Sequence, residues 1–540
     1  MSKKRAYLEL SLKDEIVEGL PEHSIFSRKA RFALHDIVEA LNRAAKDPGI
    51  AALSVALEKV SSGWARLSDL RRALTIFRRS GKFIYCYMQE GGDAEYYLAS
   101  ACDRIFMPPT AHLHLVGLSA EVFFFRDLMG RLGVDAHIQS VGEYKSAAEM
   151  FTRTDLSPQA REQMDSLLDD HYEELCGAIQ NRGFTGDETA SLIDSGPYTA
   201  REALAKKLLD GVCYQDEVTD RLKEKLGDGS YPVPAHKYFK SDGFLKRLIT
   251  FRRARIAVID IVGHIGLGEN RRNQAGGSVS GAETIGKFLD HASQSRRIRA
   301  IVLRINSPGG SGLASDLVWR KILLAGKKKP VIASFGDVAA SGGYYIASAA
   351  SHILAEPTSI TGSIGVLAGK FVARELMERL AIHRESLRRG AHADYGSLFS
   401  DFTREETERL NRQMLDFYKE DFLKKVALGR KMEEEAVDQV GRGRVFSGRR
   451  AKDHNLVDEI GGISEAVQRA RWLANIDESK KIRVVHYYKR RKLWERLMPE
   501  LRSPIVARLF PQPALDAFDI IDDLAGQTIL LLMPYQIRIR

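Results

Sequence analysis

The sequence "VAASGGYYIASAA", residues 338–350, has a weaker copy, "GGDAEYYLASACD", at residues 91–103. A shift of 248 positions also aligns "FFFRDLMGRLGV" (123–134) with "FVARELMERLAI" (371–382), and about sixteen of the 37 positions from 96 to 132 are identical. Self-similarity of this kind is typical of a duplicated structural unit. The repeat therefore predicts two copies of one domain in tandem.

Each copy has the pattern of an α/β domain. Short β-branched runs such as "RIAVIDIVG" (255–263) and "IRAIVLRIN" (298–306) alternate with helical patterns such as "GAETIGKFLDHASQS" (281–295). Alternation of strand and helix favours a mostly parallel sheet with crossover helices. Amphipathic helices are predicted to follow near 158–182 and 404–430.

The repeat also predicts the domain boundaries. Residues 1–240 form the first copy, residues 241–480 the second, and residues 481–540 a basic and apolar extension with no counterpart in the first half. Within the extension, residues 487–510 mix basic residues with large apolar ones, as helices at a membrane surface do. A packing or oligomer-contact arm is the alternative interpretation of this segment.

Composition excludes several classes of protein. The 540 residues carry a net charge of +10, but the basic residues are dispersed, which predicts no nucleic-acid partner. The four cysteines form no CxxC pair, so zinc binding is not expected, and we expect no other metal or cofactor. The N-terminus lacks the apolar core of a signal peptide, and the most apolar run, "TILLLMPYQI" (528–537), is too short to span a membrane. We expect a cytoplasmic or peripherally membrane-associated protein.

Two glycine-rich turns follow neighbouring predicted strands. Ser341 ends one strand and opens a helix rich in small residues, where free backbone N–H groups favour negative charge. In "INSPGGSGLASD" (305–316), Gly309 and Gly310 end another strand, so an amide of either could join that of Gly342 around one developing oxyanion. An ordinary serine helix cap with tightly packed glycines is the alternative.

Three motifs in this order identify a family. "NSPGGS" (306–311), "AASGGYYIAS" (339–348) and "TGSIGV" (361–366) resemble signal peptide peptidase A, in the long duplicated form of that serine protease family. The resemblance covers roughly residues 50–475. It implies a Clp protease/crotonase-like fold, hydrolysis of peptides such as cleaved signal peptides, and assembly into a homotetramer.

The resemblance also implies a serine–lysine dyad. Its nucleophile matches Ser341, its general base matches Lys145 in "VGEYKSAAEMF" (141–151), and Ser363 matches the residue that orients the lysine. The duplication agrees, because a shift of 248 positions places Asp93 opposite Ser341 and Ala393 opposite Lys145. Neither counterpart can perform the chemistry of its partner, so we expect one composite site built from both halves.

Other bases and other functions are alternatives to this interpretation. His352, expected in the helix after the nucleophile, and His392 are the rival bases for a Ser–His–Asp arrangement. Asp337 and Asp316 are expected to cap or bridge near strand ends. A non-catalytic oligomeric scaffold and a crotonase-like acyl-CoA enzyme are the alternative functions.

Overall fold

The computed structural model describes residues 5–19, 33–227, 229–239, 254–272, 277–487 and 529–533. The predicted boundary at 240/241 and almost all of the predicted surface helix at 487–510 lie outside these described residues. The α/β tandem duplication with parallel sheets and crossover helices is confirmed by the arrangement described below. The boundary at 480/481 stays a prediction.

The first repeat contains ten strands and ten α-helices among its described residues. The strands are β1 (Ala6–Glu15), β2 (Ile50–Ser61), β3 (Phe83–Met88), β4 (Gly91–Gly92), β5 (Arg104–Met107), β6 (His112–His114), β7 (Asp135–Val141), β8 (Tyr198–Thr199), β9 (Gly211–Val212) and β10 (Tyr231–Pro234). The helices are Leu34–Lys46, Trp64–Arg79, Asp93–Ala99, Arg126–Leu132, Glu149–Thr152, Pro158–Gln180, Gly186–Asp194, Ala200–Ala205, Gln215–Leu226 and Ala235–Phe239, with a 3-10 turn at Ser146–Ala148.

The remaining strands and helices follow residue 254. The strands are β11 (Arg255–Val262), β12 (His264–Gly266), β13 (Arg271–Arg272), β14 (Ser278–Gly281), β15 (Ile298–Ser307), β16 (Gly309–Ser311), β17 (Val331–Ala340), β18 (His352–Ala355), β19 (Ile360–Gly362), β20 (Val366–Val372), β21 (Val445–Ser447), β22 (Glu459–Ile460), β23 (Arg483–Tyr487) and β24 (Leu530–Leu532). The helices are Ala282–Gln294, Gly312–Gly326, Gly342–Ala347, Arg374–Arg379, Arg404–Asp416, Lys424–Arg430, Glu434–Val440, Gly448–Asp453 and Ile463–Leu473, with a π-helical turn at Phe417–Leu423.

The two main sheets have the same strand order. In the first repeat the order is β10-β1-β2-β3-β5-β9, and every pair in it is parallel. In the second repeat β23, β11, β15, β17, β18 and β22 pair in the corresponding order, again in parallel. β23 follows the other strands of this sheet in the chain and lies beyond the predicted boundary at 480. It pairs with β11 as β10 pairs with β1 in the first sheet.

The sheet of the second repeat is buried on both faces. Along β15, Ala300 and Val302 pack in the core cluster of the first repeat, whereas Ile301 and Leu303 pack in that of the second. Successive side chains of a strand point to opposite faces, which explains why this strand is a nearly continuous apolar run. The shared core holds the two repeats against each other.

A third sheet joins the two repeats where the candidate site lies. Its order is β13-β14-β12-β16-β24-β20-β7, so a strand of the first repeat, β7, ends a sheet that otherwise belongs to the second half. β7 runs antiparallel to β20, with Val141 opposite Val366 and Asp135 opposite Val372. This pairing carries the chain that follows β7 across to the second repeat.

Candidate active site

Ser341 lies at the corner between β17 and the helix Gly342–Ala347. Its φ is 54° and its ψ is −112°, a conformation that costs a residue with a side chain about 1–3 kcal/mol. The side chain makes no capping hydrogen bond to the helix, which argues against the ordinary helix cap considered from the sequence. The strained corner instead presents the hydroxyl group to other partners.

Two neighbouring strand ends position Ser341 and Ser363 side by side. β17 and β19 pair in parallel up to Ala340 and Gly362, and the two serines are the next residues along the chain. The Ser341 amide donates to the Gly362 carbonyl at 2.8 Å. Ser363 also has a positive φ, 52°, and its amide donates to the Arg444 carbonyl at 2.6 Å. Backbone bonds therefore hold both strained serines in place.

The loop after β7 brings Lys145 to these serines. Close backbone packing holds this loop against the second repeat, since the Tyr144 amide donates to the Arg442 carbonyl at 2.9 Å. Gly443 has a φ of 84°, and a Cβ there would lie 2.5 Å from the Lys145 nitrogen. Only glycine allows this approach without displacing the lysine.

Gln163, on the helix Pro158–Gln180, fastens the same loop to the second repeat. Its amide nitrogen donates to the Ser146 hydroxyl at 2.8 Å and to the Tyr144 carbonyl at 3.3 Å. Its amide oxygen accepts from the Val445 amide at 3.2 Å. Sequence reasoning missed this residue, because a single glutamine on an amphipathic helix carries no signal of such contacts.

The structure brings Lys145, Ser341 and Ser363 together. The Lys145 Nζ lies 2.8 Å from the Ser341 Oγ, 2.9 Å from the Ser363 Oγ and 3.0 Å from the Ser363 carbonyl oxygen. All three side chains are buried, and Lys145 is only 3% exposed. The two partners predicted from opposite halves are thus within hydrogen-bonding distance.

These distances define how a neutral amine is oriented. A neutral amine has two N–H donors and one lone pair, and the Ser363 carbonyl oxygen can only accept. If the second N–H donates to the Ser363 Oγ, the lone pair faces the Ser341 Oγ and accepts its proton. This arrangement is that of a nucleophile with its general base.

Burial lowers the pKa of the Lys145 amine well below its ordinary value. Desolvation disfavours the charged ammonium form, and it is the cause that acts here. Ala147, Met150 and Phe151, which follow Lys145 in the chain, are buried in one apolar cluster. An amine of this kind can serve as a base at neutral pH.

The three predicted oxyanion glycines also lie together. Gly309 and Gly310 have φ values of 113° and 148°, which residues with side chains rarely adopt. A Cβ on Gly342 would lie 3.1 Å from the Gly309 Cα and 3.2 Å from the Gly310 nitrogen. The Gly309 amide donates to the Ser307 Oγ at 3.2 Å. The backbones of the three glycines therefore pack against one another at the residue that follows Ser341.

The rival histidines have carboxylate partners of their own. His352 lies at the start of β18, not in the helix after the nucleophile as expected, because that helix ends at Ala347. Its Nε2 lies 3.1 Å from Glu459, and the Nδ1 of His392 lies 3.0 Å from Glu406. Both histidine side chains thus contact carboxylates on other elements.

The two predicted bridging aspartates also have structural partners. Asp337 accepts from the Arg66 side chain at 2.5 Å, which ties the end of β17 to the first repeat. Asp316 accepts from the Tyr345 hydroxyl at 2.9 Å and from Lys425 at 2.5 Å. These contacts stabilise the elements around the site.

Three carboxylates lie together among the described residues. Oxygen atoms of Asp69, Glu356 and Glu465 lie within 4.8 Å of one another. Arg72 binds Glu356 with two hydrogen bonds of 3.1 and 2.7 Å, and Arg304 lies 3.4 Å from Asp69. The half-buried Arg72 and the buried Arg304 thus pair with two of the three acids, so this cluster is part of an ion-pair network between the repeats.

Within the described part of the chain, no helix combines the length and hydropathy that crossing a membrane requires.

Comparisons with known proteins relate most of the chain to one family. Residues 76–227 and 324–477 match the family model described as Peptidase family S49. The chloroplastic serine protease SPPA of Arabidopsis thaliana is 34% identical over 492 residues, which cover 89% of this chain and 71% of that protein. Protease 4 of Salmonella typhi is 29% identical over 457 residues, which cover 83% of this chain and 73% of that protein.

Among solved structures, ClpP1 from Listeria monocytogenes aligns with 41% of this chain and 96% of its own length, at 21% identity and a TM-score of 0.23. The two regions that match the family model correspond to the two repeats, so the resemblance predicted from the motifs is confirmed. The chain belongs to peptidase family S49, and it is a serine peptidase.

Proposed function

We propose that Ser341 and Lys145 hydrolyse peptide bonds as a nucleophile and its general base. The observation that carries this proposal is the 2.8 Å distance between the Lys145 Nζ and the Ser341 Oγ in a fully buried site. A serine hydroxyl is a weak nucleophile without a base, and the lowered pKa of Lys145 supplies one. Ser363 positions the amine through its carbonyl and hydroxyl oxygens.

The reaction passes through an acyl-enzyme. The Ser341 Oγ attacks the carbonyl carbon of the substrate while its proton moves to the Lys145 Nζ. The resulting oxyanion accepts hydrogen bonds from the amides of Gly342 and of Gly309 or Gly310. When the C–N bond breaks, Lys145 returns the proton to the leaving amine. Water then gives a proton to Lys145 and attacks the ester carbonyl. When the C–O bond to Ser341 breaks, the acid is released and Lys145 returns the proton to the Ser341 Oγ.

The substrates we propose are extended peptides rich in apolar residues, such as cleaved signal peptides. The loop that carries Lys145 continues into a buried apolar cluster, in which Ala147, Met150 and Phe151 pack with Leu367 and Phe371. An apolar surface beside the site favours apolar side chains in the substrate, since their burial contributes about 1.5–3 kcal/mol each. The similarity to a protein of Enterococcus faecium named as a putative signal peptide peptidase supports the same substrate class.

Reaction with a fluorophosphonate tests the proposal. The probe phosphonylates an activated serine and releases fluoride, so intact-mass analysis followed by peptide mapping should locate one adduct on Ser341. Cleavage of a library of apolar peptides, followed by mass spectrometry, should show products that depend on the same serine. A wild-type chain that neither reacts nor cleaves would contradict a catalytic role and favour the scaffold interpretation.

Assembly and compartment stay predictions. A homotetramer is expected from the family resemblance, and light scattering of the purified chain would measure its mass. Location in the cytoplasm or at a membrane surface is checked by cell fractionation.

A further inference from the structure

A buried serine lies beside the glycine turn of the proposed oxyanion site. Ser315 is in the first turn of the helix Gly312–Gly326, and its side chain is fully buried. Among the described residues, no donor or acceptor lies within hydrogen-bonding distance of its Oγ. A hydroxyl that is buried without a partner destabilises the fold, so such groups are rare in proteins. An unpartnered hydroxyl at this place therefore indicates a role that the resting structure does not show.

The hydroxyl borders the glycines that we assign to oxyanion binding. A Cβ on Gly342 would lie 2.7 Å from the Ser315 Oγ, 3.1 Å from the Gly309 Cα and 3.2 Å from the Gly310 nitrogen. Any side chain at position 342 would therefore meet the hydroxyl oxygen. The first repeat has Ala94 at the position that corresponds to Gly342. The approach of a serine hydroxyl to this backbone thus depends on a glycine that only the second repeat has.

The first repeat contains the same serine, but there it has partners. A shift of 247 positions places Ser68, in "RLSDL", opposite Ser315, in "LASDL". The Ser68 Oγ lies 3.0 Å from the Tyr97 hydroxyl oxygen and 3.2 Å from the Thr358 Oγ1. At the repeat that lacks the nucleophile, hydrogen bonds of the fold therefore satisfy this hydroxyl.

The matching tyrosine of the second repeat has other partners. Tyr345 lies 248 positions after Tyr97, and its hydroxyl donates to the Asp316 side chain at 2.9 Å. The same hydroxyl accepts from the Lys425 Nζ at 2.8 Å. These bonds occupy the group that would otherwise bind Ser315, so the serine hydroxyl is left free in the repeat that has the nucleophile.

We propose that the Ser315 hydroxyl belongs to the oxyanion site, where it turns its O–H towards the negative charge that develops beside Gly342. A hydroxyl hydrogen rotates about the C–O bond, so a group without a resting partner can reorient when the charge appears. Dipoles close to a developing charge stabilise it strongly in a site that excludes water. The hydroxyl keeps its proton throughout. This inference rests on the proposed function, because the attack of Ser341 creates the oxyanion.

The test compares Ser315→Ala with Ser68→Ala, each in the full chain. With a fluorogenic apolar peptide, Ser315→Ala should lower kcat about tenfold, which is less than the 10²–10³-fold loss typical of a direct oxyanion donor. KM should stay at the wild-type value, and so should the acidic decline of kcat/KM, because Lys145 is unchanged. Ser68→Ala is the matched control and should keep the kcat of wild type.

Thermal unfolding of the same two variants separates catalysis from packing. Ser315→Ala should unfold at the wild-type temperature or above it, because the hydroxyl that it removes has no partner to lose. Ser68→Ala should unfold at a lower temperature, because two buried hydrogen bonds are broken. One variant should thus lose activity without stability, and the other stability without activity.

Three outcomes would overturn the inference. The first is a wild-type kcat in Ser315→Ala. The second is a loss of kcat together with a lower unfolding temperature, which would indicate a packing role. The third is a shift of the acidic decline, which would indicate an effect on Lys145. All three leave the dyad in place, whereas a wild-type chain that cleaves no peptide would end the proposed function and this inference with it.

Discussion

The two repeats share a buried polar framework although their active-site positions differ. In the first repeat the Tyr96 hydroxyl donates to the Leu208 carbonyl at 3.0 Å. In the second, the Tyr344 hydroxyl donates to the Leu456 carbonyl at 2.9 Å, and both residues lie 248 positions further along the chain. In each repeat, this hydrogen bond thus joins the helix that begins at the nucleophile position to the corresponding distant turn.

An ion pair repeats with the same spacing. Arg182 lies 2.7 Å from Asp210, and Arg430 lies 2.7 Å from Asp458. Burial raises the pKa of each aspartate, but the hydrogen bond and charge of its arginine outweigh burial, so the net pKa is lowered in both repeats. These pairs stabilise the loops that follow the amphipathic helices.

The residues at the nucleophile position have diverged. Asp93 replaces the serine in the first repeat, and its carboxylate accepts from the Gly117 amide at 3.1 Å. Burial raises the pKa of Asp93 to about 6, although its backbone hydrogen bonds oppose the change. The hydrogen-bonding framework is therefore independent of the proposed catalytic residues. Each repeat keeps the bonds that hold the fold, whereas Ser341 occurs only in the second repeat and Lys145 only in the first.

The largest expected effect is at the proposed nucleophile position. Ser341→Ala should lower kcat/KM by about 10⁵-fold or more, because the attacking oxygen is removed. Asp93→Asn, which changes the corresponding position and keeps a hydrogen-bond acceptor for Gly117, should change kcat/KM less than about threefold. Steady-state cleavage of one fluorogenic apolar peptide measures both. Comparable losses in the two variants would mean that the first repeat also contributes to the chemistry.

The second prediction concerns the base. Lys145→Met keeps the apolar stem and removes the amine, so kcat should fall about 10²–10⁴-fold, the usual contribution of a general base. Lys370→Met is the control: this lysine is also nearly buried, with a pKa lowered by desolvation, but its Nζ donates to the Tyr395 carbonyl at 2.9 Å. We expect its kcat to stay within about threefold of wild type.

The pH dependence of the wild type follows from the same lysine. Its active form is neutral, so kcat/KM should be constant above the lowered pKa and should fall about tenfold per pH unit below it. An ordinary lysine would place this decline near pH 10.4, far above neutrality. A profile that rises only above pH 9 would contradict a desolvated base.

The shared framework predicts matched losses of stability. Asp210→Asn and Asp458→Asn should each lower the free energy of unfolding by about 1.5–3 kcal/mol, since each removes the charge from a hydrogen bond to arginine. Because both aspartates have lowered pKa values, the contribution of each pair is present above the unfolded pKa and is lost as the pH falls through the folded pKa. Urea unfolding at pH 7 measures the two values. A loss in only one variant would show that the repeats rely on different contacts.

The sequence alone predicts more of the site than of its surroundings. Ser341 and Lys145 carry a signal because a repeat shows which residue types changed at matched positions. Gln163 and the segment at 529–533 carry no such signal, because their contacts join distant parts of the chain through backbone groups and depend on tertiary structure. The sequence predicts His352 in the helix after Ser341, but that helix ends at Ala347 and pairing with β17 starts a strand at His352.

The smallest expected effect on activity is at Ser363, whose counterpart in the first repeat is Leu115. Ser363→Ala removes one of the two acceptors of the Lys145 amine and leaves the carbonyl, so kcat should fall only about tenfold. Acceptors stabilise the ammonium form more than the amine, so the variant should lower the pKa of Lys145 further and move the acidic decline of kcat/KM to lower pH. A merely structural role would reduce kcat at every pH without moving the decline, which separates positioning of the base from packing.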